Sequence, residues 1–148
     1  MRISAKTRYG LLALMDMAVR QEANGAARLT TREIAAHQGI PERFLEQQIT
    51  ALKNAGLVIS YRGASGGCYL ARRAEEITVL QVIEALEGLP LAMERLDDQE
   101  SEATGGAIRE LMEQAQAALV TLFSGATIAS LVRREQELRE GSTVMFYV

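Results

Sequence analysis

Five polar and charged side chains recur at helical spacing in the N-terminal half: Arg43, Glu46, Gln47, Thr50 and Lys53, at i, i+3, i+4, i+7 and i+10. On one helix face this set suits the groove of double-stranded DNA. A carboxylate such as Glu46 accepts from a cytosine amino group, and the Gln47 amide pairs with adenine. Arg43, Thr50 and Lys53 suit phosphate oxygens or guanine. Further on, Arg62 opens the turn Gly63-Ala-Ser-Gly-Gly67, which can carry a guanidinium toward a narrow A/T-rich minor groove. The competing reading is a solvated helix face beside an ordinary turn.

Other chemistries lack their parts. The chain has one Cys, Cys68, and one His, His37, so neither a Ser/His/Asp nor a Cys/His constellation can be assembled. No catalytic residue is expected, and the chain reads as a non-enzyme. A single Cys excludes an internal disulfide framework. It also cannot complete a thiolate metal site, even with a second copy's Cys added. His37 reads as a surface or partial core residue, and no metal and no cofactor are expected. Gly63, Gly66 and Gly67 lack the following Lys-Ser/Thr of a phosphate loop. The carboxylates between Glu94 and Glu102 lack the spacing and central Gly of a calcium loop. Cys68 keeps two readings. It is a redox switch if Arg62, Arg72 and Arg73 stabilise a thiolate, or a small residue packing a hairpin.

The elements that must position these residues are legible from periodicity and caps. Leu11, Leu14, Met15 and Ala18 mark an amphipathic helix over about 6–21, stopped by Asn24-Gly25. Thr30-Thr-Arg-Glu33 is a capping box opening a short helix over about 32–37, which Gly39 ends. Pro41 then starts a helix over about 42–54, with Leu45, Ile49 and Leu52 as its buried stripe. Leu57 to Arg62 and Cys68 to Ala71 read as strands joined by the glycine turn. Thr78-x-x-Gln81 caps another helix that Gly88 and Pro90 terminate. Beyond it, Ile108, Leu111, Met112, Ala115, Leu119 and Leu122 form a nearly heptad seam in a helix over about 107–123. A shorter helix is expected over about 127–139, and Thr143 to Val148 reads as apolar, β-prone and unhelical.

These elements define the expected fold class: mostly α with a small β-hairpin wing. A winged helix-turn-helix DNA-binding domain spans 1–88 and an acidic linker 89–104. A helical dimerisation region with a long helix spans 105–140, and an apolar C-terminal tail 141–148. Charge follows the same division. Residues 1–73 carry 11 Lys/Arg against 5 Asp/Glu, and residues 74–148 carry 5 against 14, within a net charge of −3. A basic half beside an acidic half suits a polyanion-binding module joined to a partner module. No apolar run approaches the ~18 residues of a membrane span. The N-terminal residues lack a signal-peptide cleavage pattern, so a cytoplasmic location is expected. The absence of Trp and an aromatic content of 5% disfavour a stacking platform for single strands.

Several stretches in register carry a family likeness: Arg2-Ile-Ser-Ala-Lys-Thr-Arg-Tyr9-Gly, Phe44-Leu-Glu-Gln47, Leu52-Lys-Asn-Ala-Gly-Leu-Val58, Arg62-Gly-Ala-Ser-Gly-Gly67 and Glu76 to Gly88. Together they resemble the Rrf-type winged-helix transcription regulators over about residues 1–90, and the helix order beyond that more loosely. The terminal Met-Phe-Tyr-Val148 is most similar to the CymR branch, the cysteine-metabolism repressors. The resemblance implies a homodimeric repressor that binds an inverted repeat of double-stranded DNA, with operator reading at the positions of Glu46 and Arg62. Arg43 departs from the family, where many relatives have a small hydroxyl residue. So does Cys68, where an aromatic residue is common. The cluster-binding relatives carry three cysteines around the linker, and 89–104 has none. The CymR branch further implies a partner, cysteine synthase, docked by the tail Met145, Phe146, Tyr147 and Val148. That leaves an interaction module as the alternative function, and a repressor with a small effector between the winged domain and the dimer helices as a third.

Overall fold

The computed structural model describes residues 4–25, 28–88 and 105–145. The first helix, α1 (Ala5–Asn24), is capped by Ser4, whose hydroxyl accepts the Lys6 N–H at 3.1 Å. It buries Ala13, Leu14, Met17 and Ala18 and forms the spine of the core. The Thr30 capping box opens α2 (Thr31–Gln38): Thr30 Oγ1 accepts from Glu33 N at 3.1 Å, and Glu33 Oε2 accepts from Thr30 N at 2.7 Å. Two orphan amides of the helix start are thus satisfied reciprocally. Gly39 takes the left-handed conformation that ends α2, at φ 63°, and α3 (Glu42–Asn54) follows at once. α3 buries Leu45, Gln48, Ile49 and Leu52 on one side. The opposite side is left to solvent.

β1 (Val58–Tyr61) and β2 (Gly67–Leu70) pair antiparallel, with Val58 opposite Leu70 and Tyr61 opposite Gly67. A single bridge from Leu29 to Cys68 extends this ribbon. The sequence pattern did not announce that bridge. After a 3₁₀ turn at Ala74–Glu76 comes α4 (Val79–Glu87), behind the expected Thr78–Gln81 capping box. α5 (Gly106–Gly125) packs against α4 and has no buried residue, while Ile128 and Val132 of α6 (Ile128–Met145) join the central core beside α1. Two backbone bonds fasten this return, Val79 N–H to Ala126 C=O at 2.8 Å and Ile128 N–H to Ile77 C=O at 2.9 Å.

Two expectations need correction here. The last helix does not stop near Arg139; it continues through Met145, so Thr143, Val144 and Met145 are helical rather than part of an extended tail. The hydroxyls of Ser142 and Thr143 donate to Leu138 C=O and Arg139 C=O one turn back at 2.8 and 2.9 Å, so both side chains satisfy their polar groups on the helix itself. Nor do both C-terminal helices stay outside the core of the winged domain, because Ile128 and Val132 of α6 join it, while α5 packs on α4 without a buried residue of its own. The linker 89–104 and the tail residues Phe146, Tyr147 and Val148 lie outside the described residues.

Candidate nucleic-acid interface

α2, the Gly39 turn and α3 form a helix-turn-helix, and the hairpin lies beside α3 as a wing. Between them runs an open groove of about 620 Å³. Glu46, Thr50 and Lys53 from α3 and Arg62 from the wing line it, together with Thr31 and Tyr61. Residues far apart in sequence therefore face one concavity. Arg43 and Gln47 are exposed on α3 but lie outside the walls of this groove. Of the adjacent glutamines only Gln47 is free to meet a ligand. Gln48 is 4% exposed and donates its amide to Phe44 C=O at 3.3 Å.

Local bonding prepares the helix face. Thr50 Oγ1 donates to Glu46 C=O at 2.9 Å, so its hydroxyl proton is occupied and its outward role is to accept. Phe44, 43% exposed, meets Tyr9 of α1 edge to face with ring centroids 6.1 Å apart, which locks α3 against α1. His37 serves the same purpose for α2. Its Nδ1 lies 2.9 Å from Asp16 and its Nε2 lies 3.3 Å from Arg20, both on α1. His37 thus has a structural use as a tether between helices.

The thiol reading of Cys68 changes with the structure. Cys68 is 2% exposed, and its Sγ donates to Leu29 C=O at 3.1 Å. Burial pushes its pKa up to about 11, and Glu33 adds to the rise. The three arginines proposed to favour a thiolate are not what it feels. A buried protonated thiol packs the wing and is a poor redox switch. The structure also adds residues that sequence reasoning passed over. Thr30, Ser60 and Asn54 line the groove, and Arg28 reaches over the ring of Tyr61 at 4.4 Å. Their only sequence signal was proximity to the caps and the turn. A smaller cavity of about 250 Å³ lies between α1 and α6, with Leu12, Met15, Val19 and Val132 in its lining.

Among the described residues no helix is long and apolar enough to cross a membrane. The chain matches the family model Rrf2, described as an iron-dependent transcriptional regulator, over residues 3–134. It is 35% identical over 151 residues to the HTH-type transcriptional regulator CymR of Bacillus subtilis, covering 100% of each chain. Among solved structures it resembles CymR (YrzC), the global cysteine regulator of B. subtilis, with a TM-score of 0.75 at 34% identity, covering 90% of this chain and 98% of that one. T. potens IscR gives the same TM-score of 0.75 at 29% identity, covering 93% and 90%. The donor set does not fit a thiolate-held iron centre. The one Cys is buried in the wing, and among the described residues no three His, Cys, Asp or Glu side chains are grouped to hold a metal.

Proposed function

The chain belongs to the Rrf2 family of transcriptional regulators, and on that premise we propose that it acts as a homodimeric repressor binding an inverted-repeat operator without an iron–sulphur cluster. One observation carries this reading: Glu46, Thr50 and Lys53 share a groove with Arg62. The helix supplies groups for base edges in the major groove, and the wing supplies a cation for the adjoining minor groove. Arg43 and Gln47, on the exposed part of α3, extend the same face toward phosphate and base. The homodimer is supported by α5, whose Ile108, Leu111 and Leu122 are 66%, 64% and 64% exposed. A second copy would cover that seam and set the half-site spacing. The likeness to a global cysteine regulator supports target genes in cysteine metabolism.

Selection of the purified protein's preferred duplex from a random pool, followed by titration of variants, tests the proposal. A pseudo-palindrome should emerge, bound with an affinity that falls steeply with salt as phosphates are neutralised. Arg62→Ala should cost about 1–3 kcal/mol, and Glu46→Ala should relax discrimination at one base step. A pool with no enriched motif and equal affinity for random duplex sinks the reading.

A further inference from the structure

We propose that Arg28 is a positioning residue for DNA recognition, holding the turn that carries Arg62, a role that rests on the operator-binding reading above. Arg28 lies between α1 and α2, beside the Leu29–Cys68 bridge. There Leu29 N–H donates to Cys68 C=O at 3.1 Å and Cys68 N–H to Leu29 C=O at 2.7 Å. This bridge brings Arg28 alongside the end of the hairpin. Its guanidinium carbon lies 4.4 Å from the centroid of Tyr61, and its Nη1 donates to Ser65 C=O at 3.1 Å. Tyr61 in turn stacks on Tyr69, with centroids 6.0 Å apart and planes within 13°. One side chain therefore grips the residue just before Arg62 and a carbonyl on the far side of the same turn.

The turn needs such a grip. It contains Gly63 and Gly66, and its own bond is a single one, Gly66 N–H to Gly63 C=O at 2.9 Å. Glycine-rich backbone has many conformations to lose when it docks on DNA. Clamping both ends beforehand lowers that loss. Gly67 makes room for the clamp: at φ 145°, a Cβ there would stand 2.9 Å from Arg28 Cβ and 3.1 Å from Leu29 O. The work also calls for arginine, since a planar guanidinium can stack on a ring and donate from its edge at once. With its stacking face and one nitrogen engaged on the wing, Arg28 acts through Arg62.

The full-length protein and its selected duplex supply the test. Arg28→Ala should weaken binding about fivefold to tenfold in the wild-type background, as a cation–π contact and a hydrogen bond together allow, and less than twofold in Arg62→Ala. Arg28→Lys should lose as much as Arg28→Ala although it keeps the charge. Equal loss in both backgrounds, with the salt slope reduced by about one, would mark an independent phosphate contact and overturn the positioning role. If Arg62→Ala is itself silent, the wing part of the operator reading fails, whatever Arg28 does. Backbone order parameters then decide the clamp without DNA. Those of the Gly63 and Gly66 amides should fall in free Arg28→Ala, and unchanged values overturn the proposal.

Discussion

Cys68 shows how environment decides what a side chain can do. The same thiol beside an exposed cluster of arginines would ionise near neutrality, but here it donates to a carbonyl and is sealed from water. Iodoacetamide should therefore label the native protein at neutral pH far more slowly than the urea-unfolded chain, as mass spectrometry can follow. Peroxide should leave operator affinity unchanged. Linkage adds a check on the alkaline side. The folded thiol holds its proton up to about pH 11. The unfolded one loses it from about 8.5, so stability should decline as pH rises through that window. Cys68→Ala should remove this share of the decline in urea titrations. A native thiol that reacts as fast as the unfolded one contradicts the burial on which this rests.

At the level of elements, caps and turns set where the functional face sits. Thr30 anchors α2, and Glu33 is held below the usual carboxylate range chiefly by the Thr30 backbone N–H, then by its hydroxyl. Thr30→Ala should cost about 1 kcal/mol in chemical denaturation. A depressed carboxylate stabilises above its unfolded pKa, and that support is lost as pH falls through the folded one. Glu87, which accepts from Ser4 and Thr7 at the start of α1, is lowered in the same direction. Urea stability should thus fall below about pH 4.3, less so in Thr30→Ala. The wing turn offers a sharper test. A Cβ on Gly66 would meet Tyr61 O at 2.6 Å and Gly63 O at 2.7 Å, backbone atoms that cannot swing aside. Gly66→Ala should weaken operator binding with helical circular dichroism unchanged.

The whole molecule divides its apolar surface between a core that the chain completes and a helix that it does not. Ile128 and Val132 close the core against α1, whereas Leu111 on α5 is 64% exposed. On the proposed dimer, a second copy covers Leu111. Leu111→Glu should yield monomers in analytical ultracentrifugation, with the helical content largely retained. Those monomers should bind the inverted repeat more than a hundredfold more weakly, because two half-sites no longer act as one ligand. Dimers that persist in this variant would move the interface elsewhere.

What the residues alone settled was local. Capping boxes at Thr30 and Thr78, glycine stops and the i, i+3, i+4 spacing are satisfied within a few residues, so the helices around them stand near where the pattern placed them. The exposed face of α3 was legible for the same reason, since its buried stripe lies opposite. Tertiary structure decided what depends on contacts between distant segments. α6 extends to Met145 on a helical frame that starts by docking Ile128 against Ile77, which no local signal at Thr143 reports. Cys68 is buried beside Leu29, which pairs with it from across the fold, and Arg28 reached the wing by the same bridge. The groove itself exists only once Arg62 is folded beside α3, because shared concavity belongs to packing and not to spacing along a chain.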